Sequence, residues 1–328
     1  MAPLVSILIP AYNAQPWLAD TIRSALAQTW PRKEIIVVDD GSRDQTLSIA
    51  RQFSLKNVYV STQENRGPSA ARNRALALSQ GDYIQWLDAD DLLAPDKISK
   101  QMEAANECQS KRVLFSSAWG AFVHRVSKAQ FSPTSLWCDL LPVEWLFRKM
   151  GENLHMQTAT WLVSRELTEA AGLWHTRLFR DNDGEYFCRV IVASDRIRFV
   201  PDAKVFYRTR GANRVSYIGR SNKKLDALFL SMQLHIGYLR SLEDSPRTRA
   251  ACVTYLQTWF LNFYPNRPDI VKQAQDLATT LGGQLHVPRL RWKYAWIQGI
   301  FGYRMAKRAQ LFLPQLRSSI LRTWDKFL

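Results

Sequence analysis

An α/β fold with a mostly parallel central sheet follows from three features of the first 120 residues of this 328-residue chain. Short β-branched runs alternate with segments of helical period. The runs are almost continuously apolar, as strands buried on both faces are. The connections between them are short, which implies right-handed crossovers and helices on both faces of the sheet.

The elements follow in order. Val5-Ser6-Ile7-Leu8-Ile9-Pro10 reads as the first strand, and Pro16 to Thr29 carries Trp17, Ile22, Ala25 and Leu26 at helical spacing. Glu34 to Val38 is a second strand, stopped by Asp39-Asp40-Gly41-Ser42, and a short helix spans Gln45 to Phe53. Asn57 to Ser61 is a third strand and Ser69 to Ser79 an Ala/Arg-rich helix. Asp82 to Leu87 is a fourth strand, ending in Asp88-Ala89-Asp90-Asp91. Pro95 opens the next helix, where its missing N–H costs nothing, and Val113 to Ser117 is a fifth strand. Beyond it, Thr158 to Ser164 and Ile197 to Arg208 read as strands and Asp183 to Ala193 as a helix. From about Asn222 the chain is helical, over Leu225 to Leu242, Thr248 to Phe263 and Ile270 to Leu281.

With 46% hydrophobic and 22% charged residues the chain is an ordinary globular one, which excludes disorder and collagen-like repeats. At roughly 150 residues per domain its length implies about two domains, or one with an appendage. No apolar run approaches the roughly 18 residues of a spanning helix. The best, Tyr294 to Tyr303, is interrupted by Gln298 and two glycines. Met1 leads straight into a strand-like run without a basic leader, read as no signal peptide. Cys108, Cys138, Cys188 and Cys252 are too dispersed for a zinc site or a disulfide framework, which points to a reducing compartment.

The net charge of +15 is uneven: residues 1–110 hold 11 Lys/Arg and 13 Asp/Glu, a balance of −2, and residues 111–328 a balance of +17. An anionic substrate, a membrane surface and nucleic acid all suit the basic part.

Ligands of open parallel sheets bind outside the carboxyl ends of the strands. Three polar clusters fall there: Pro10-Ala11-Tyr12-Asn13, Asp39-Asp40-Gly41-Ser42 and Asp88-Ala89-Asp90-Asp91. Five carboxylates at one rim repel each other unless a cation or a hydrogen-bond donor lies among them. Hard Mg²⁺ or Mn²⁺ takes one or two carboxylates and completes its shell with phosphate oxygens and water.

These segments, with Gly67-Pro68-Ser69-Ala70-Ala71-Arg72-Asn73 between the second and third clusters, resemble in order and spacing the nucleotide-binding half of family 2 glycosyltransferases of the GT-A fold. The likeness is strong over residues 4–100, moderate over 155–216 and absent from the tail. It implies a metal-dependent, inverting transferase using a nucleotide sugar. By position, Pro10 and Tyr12 line the nucleoside pocket, and Asp40, supported by Asp39, accepts from the base, with uracil suiting it well. Asp88 faces the ribose or sugar, Asp90 binds the metal, and Arg72 faces the donor. Residues 1–110 are then the nucleotide-sugar-binding half, 111–218 the acceptor and base half, and 219–328 a helical, basic-aromatic extension.

An inverting transferase needs one general base on the acceptor hydroxyl. Anchoring the family pattern on Arg189 puts Asp183 at that position, with Asp181 as the rival. Asn182 stands where the family usually carries Glu, and Glu185 with Arg189 forms an (i, i+4) pair of structural type. Tyr207-Arg208 and Arg214-Val215-Ser216 resemble the family segment that closes over the diphosphate, where Arg208 suits phosphate contacts. His124, His155 and His175 have no metal spacing and read as ordinary residues, with His155 just before an expected strand that leads towards the site.

The tail from Pro288 interleaves aromatic residues with Lys and Arg, a composition that suits an anionic membrane surface and a lipid-linked acceptor. The alternative is a helical cap with snorkelling cations. The expected setting is cytoplasmic or peripheral on the inner face of a membrane. A nucleotidyltransferase is disfavoured because no Gly-rich phosphate loop follows the first strand. A non-catalytic sugar-nucleotide module stays open through Asn182. Nucleic acid is not expected, since the basic residues lie outside the motifs.

Overall fold

A computed structural model of the chain describes residues 2–54, 57–209 and 221–327. Its first part runs β1 (Val5–Ala11), α1 (Leu18–Leu26), β2 (Lys33–Asp39), α2 (Thr46–Arg51), β3 (Val58–Thr62), α3 (Pro68–Leu78), β4 (Tyr83–Trp86), β5 (Leu92–Leu93) and α4 (Lys97–Asn106). Then come β6 (Val113–Phe122), β7 (Gln130–Phe131), α5 (Pro142–Gly151), β8 (Val163–Ser164), α6 (Arg165–Ala171), α7 (Asn182–Ala193) and β9 (Arg196–Arg208). Helices α8 (Asn222–Leu242), α9 (Pro246–Phe263), α10 (Pro268–Thr280) and α11 (Ala295–Phe327) complete the chain.

The main sheet has the order β3-β2-β1-β4-β8, with every pair parallel except β4–β8. Strand alternation divides its side chains between two cores. Val5, Ile7, Ile9, Ile35 and Val37 pack with Leu18, Ile22 and Ala25 of α1 on one face. Leu8, Ile36, Val38, Ile84 and Trp86 pack with Ala71 and Ala75 of α3 on the other. Both faces are thus covered, the condition under which β1 and β2 read as unbroken apolar runs. The second core continues without a break into Leu225, Leu228 and Phe229 of α8 and Leu256 and Phe260 of α9, so the helical extension is packed on the sheet and does not hang from it.

A second sheet, β5-β9-β6-β7, holds the residues expected to form a fifth strand of the first. Strand β6 pairs in parallel with β9 along its whole length, with one register shift between Ser117 and Ala118. The strand runs on past the expected end at Ser117 to Phe122, through Gly120. Here Gly120 is required: a Cβ on it would stand 2.6 Å from the ring of Phe131 on β7. The expected strand from Thr158 is instead a single 3₁₀ turn, Thr158–Thr160, held by the Gln157 side chain accepting from the Ala159 N–H, with only Val163 and Ser164 in the sheet. Helix α4 begins two residues after Pro95, whose carbonyl accepts from Thr29 N.

Between the sheets lies Lys97, fully buried, its Nζ donating to Gln85 Oε1. Gln85 spends its own donors on the carbonyls of Trp86 and Ala159. Burial holds the Lys97 amine well below its ordinary value of 10.5. The unfolded chain therefore binds more protons than the native one as pH falls below 10.5, so this group costs stability below that value and the cost shrinks as pH rises towards it. Comparing thermal midpoints of wild type and Lys97→Met from pH 7 to 9 should show a rise in the wild type that the variant lacks in part. Parallel curves would mean that Lys97 keeps its proton in the fold.

Candidate functional site

The carboxyl ends of β1, β2 and β4 meet at one rim, and hydrogen bonds lock their loops together. Asp40 N donates to Ala11 O (2.8 Å), Asn13 N to Ser42 Oγ (2.9 Å) and Arg43 N to Asn13 Oδ1 (2.9 Å). Asn13 and Gly41 both adopt positive φ (47° and 69°), and a Cβ on Gly41 would come within 2.8 Å of Asn65 N. Only a residue without a side chain fits that approach. Tyr12 stands 46% exposed on this rim, and Pro10 is half-buried beside it.

The two acids after β2 are both buried, with different partners. Asp40 Oδ1 accepts from Gln63 Nε2 (2.7 Å) and Arg66 N (3.0 Å), and Oδ2 accepts from Gly67 N (2.8 Å). Asp39 Oδ2 accepts from Ser42 N (3.2 Å), while its buried Oδ1 has no hydrogen-bond partner among the described residues. A carboxylate has about four acceptor sites, so Asp40 keeps one and Asp39 at least two. The unfilled buried oxygen costs stability unless a donor reaches it.

The turn after β4 leads from the first sheet to the second, since β5 pairs with β9. Asp88 Oδ1 accepts from Arg72 Nη2 at 2.7 Å. The Arg72 guanidinium lies 4.3 Å above the ring of Trp174, which stacks on Tyr186 at 4.0 Å. Trp174 is anchored by a pair of hydrogen bonds with Asn73. Each such ring contact contributes about 0.5–1.5 kcal/mol beyond burial, so the charge on Arg72 sits on a rigid support. Asp91, wholly buried, is structural: Oδ1 accepts from Arg208 N (2.8 Å) and Oδ2 from Gln157 Nε2. Arg208 donates Nε to the Asp90 carbonyl (2.9 Å) and lies over the Phe122 ring. Asp90 is thereby fixed at the seam of the two sheets.

Asp88 and Asp90 together fit a hard divalent cation that takes one or two carboxylates and fills its shell from a diphosphate. Among the described residues no group of three or more His, Cys, Asp or Glu gathers that could hold a metal alone.

Helix α7 starts with Asn182, whose buried Nδ2 donates to Ser69 Oγ (3.1 Å) and whose Oδ1 accepts from Asp183 N (2.9 Å). Asp181 precedes it at φ 54°. Its Oδ2 accepts from Ser231 Oγ of α8 (2.8 Å) and lies 3.8 Å from His235 Nε2. Burial keeps His235 well below the ordinary imidazole range, so the ring meets Asp181 uncharged. Asp183 is half-buried, and its charge raises the pKa of His155 against a larger lowering by burial. His155 tilts against Trp119 at 5.5 Å, and Trp119 meets Tyr207 edge-on at 5.8 Å. Glu185 is spent on Arg189 (2.8 Å) and Tyr238 (2.8 Å). Burial pushes the Cys188 thiol up to about 12, which removes it as a nucleophile.

One helix gathers these groups. Within six residues at the start of α3, Gly67 N reaches Asp40, Ser69 Oγ reaches Asn182, and Arg72 reaches Asp88. Arg214, Val215 and Ser216 lie outside the described residues. Sequence reading missed Trp174, Ser231 and His235, which carry no motif and act through partners far away in the chain.

Comparison with known proteins shows what the chain is similar to. The model described as Glycosyl transferase family 2 matches residues 6–130. The putative teichuronic acid biosynthesis glycosyltransferase TuaG of Bacillus subtilis is 43% identical over 106 residues, 31% of this chain and 41% of TuaG. The chain spans only about a third to two fifths of the length of the first curated relatives it matches. Among solved structures, residues 1–349 of TarS from S. aureus superpose with a TM-score of 0.65 at 18% identity, covering 93% of this chain and 90% of that one; the same protein is also seen with UDP and with UDP-GlcNAc. The mannosyltransferase PcManGT of Pyrobaculum calidifontis, bound to GDP-Man and Mn²⁺, superposes with a TM-score of 0.51 at 17% identity, over 99% and 88% of the two chains. At such identities these structures establish the GT-A fold alone.

Proposed function

We propose, from the match of residues 6–130 to glycosyl transferase family 2, that the chain moves a sugar from a nucleoside-diphosphate donor to a hydroxyl of a saccharide or lipid-linked saccharide, in one displacement with inversion. The observation that carries this reading is the contact of α3 with all three acidic elements, which supports a single cleft with donor groups on one wall and Asp183 on the other. Tyr12 and Pro10 flank the base. The open acceptors on Asp39 and Asp40 suit the N–H of uracil, in line with the UDP complexes of TarS. Asp88, held by Arg72, faces the ribose and sugar, and Arg208 stands beside Asp90 near the diphosphate.

In the reaction, Asp183 accepts the proton of the acceptor hydroxyl. The hydroxyl oxygen bonds to the anomeric carbon from the face opposite the leaving group. The carbon–oxygen bond to the diphosphate breaks, and the nucleoside diphosphate leaves with the electron pair. Mg²⁺ or Mn²⁺, when held by Asp90 with Asp88, offsets the charge on that leaving group. Asp181 is the weaker base, because Ser231 already occupies the oxygen that faces His235. Names such as teichuronic acid biosynthesis among the relatives support a cell-envelope polysaccharide as the product.

A thermal-shift screen of UDP-, GDP- and dTDP-sugars with Mn²⁺ tests the donor. A hundredfold excess over Kd stabilises the native state by about 2.7 kcal/mol. A UDP-sugar is expected to raise the midpoint by several degrees. No response to any donor, with or without metal, would reject the proposal.

A further inference from the structure

We propose that the surface of residues 287–313 docks on an anionic lipid bilayer, at the same end of the molecule as the turn that bears Asp183. Large apolar side chains stand out in water here: Trp292 (88% exposed), Ile300 (69%), Trp296 (61%) and Phe301 (60%), with Met305 and Leu311 next to them. Exposed apolar groups elsewhere are scattered, which is normal for any protein surface. This stretch holds six Lys or Arg and no Asp or Glu. Arg289, Arg291, Lys293, Arg304 and Arg308 are exposed, and only Lys307 is withdrawn.

The docking of α11 decides which face is free. Tyr303 OH donates to Pro288 O, Ala306 is buried, and Lys307 Nζ donates to the carbonyls of Asn262 (3.2 Å) and Tyr264 (2.6 Å). Positions 303, 306 and 307 share one helical face. Arg304, Met305, Arg308 and Leu311 therefore form the outer one, and all four are exposed. Gly302, at φ 76°, breaks the helix just before and lets Trp296 and Ile300 present a separate face one turn apart. Rings and aliphatic chains between cations are the composition of a helix lying in a bilayer interface. The aliphatic groups have no use in stacking on nucleic-acid bases, and the uniform positive charge opposes pairing with a second copy of the chain.

The carbonyls that hold Lys307 lie at the carboxyl end of α9. One turn earlier, Trp259 carries the Arg180 guanidinium over its ring at 5.5 Å, and Lys223 at the start of α8 lies 3.6 Å over Phe179. Phe179 and Arg180 lead directly into the turn of Asp181 to Asp183. A bilayer on the outer face of α11 thus lies on the side from which a lipid-linked acceptor would approach Asp183. That consequence rests on the transferase reading; the docking does not.

The test is flotation of the full chain with vesicles of phosphatidylcholine alone or mixed about 2:1 with phosphatidylglycerol, at low and high salt. Recovery with the mixed vesicles only, lost at high salt, is expected. Arg304→Glu with Arg308→Glu should weaken it by about tenfold or more, and Trp292→Ala with Trp296→Ala should weaken it as well. All four side chains are exposed, so thermal midpoints should not move. Equal recovery with both vesicle types, no recovery at all, unchanged recovery of both variants, or retention on DNA but not on vesicles would each overturn the proposal. No arm uses a sugar nucleotide, so failure here is separate from failure of the transfer reaction.

Discussion

Asp183→Asn should lower turnover by about 10²–10⁴-fold while the affinity for the donor stays as it was. The substitution keeps the shape of the side chain and the backbone bond from Asp183 N to Asn182 Oδ1. Among the described residues the Asp183 carboxylate takes no side-chain hydrogen bond, so the structural loss is confined to one negative charge in the first turn of α7, about 0.3–1 kcal/mol. The amide cannot accept the acceptor's proton, and the effect falls on kcat. Asp181→Ala gives the contrasting outcome. It removes the partner of Ser231 Oγ and costs stability of about 1 kcal/mol, with turnover reduced far less. Single-turnover kinetics and a donor titration on both variants separate the two acids. Loss of turnover in Asp181→Ala at full stability, with Asp183→Asn active, would move the base to Asp181.

Asp90→Asn should cut turnover by about 10²-fold or more and, unlike Asp183→Asn, should also abolish the dependence of donor binding on Mn²⁺. The Arg208 contact is to the Asp90 backbone carbonyl and survives the change. Calorimetric titration of the donor with and without Mn²⁺ checks this. Identical metal dependence in wild type and variant would remove Asp90 from the metal and leave Asp88 in its place.

The first hundred residues of the fold were legible because their strands are buried on both faces and end abruptly in acids. Unbroken apolar runs stopped by Asp39 and Asp88 leave little else to conclude. The structure-bearing side of the cleft was not legible. Arg72 showed as a helical residue facing the donor, but its support, Trp174, lies a hundred residues on, as does Asn182 from Ser69. Such pairs have no spacing that a sequence pattern can register. The second sheet was hidden for a local reason: Gly120 and Ala121 weaken the apparent strand where Phe131 needs room. The Asn182 departure acquires a physical account, since its amide bonds Ser69 and the backbone of Asp183 at once.

The start of α3 works as a ruler with three marks. An α-helix advances about 100° per residue, so one residue inserted between Gly67 and Arg72 would turn at least one mark away from its partner. Insertions in the surface connections on either side carry no such penalty. Length in this chain is therefore free to drift around this helix end but frozen across a handful of positions within it, and change there must come by exchanging side chains and not by respacing the frame.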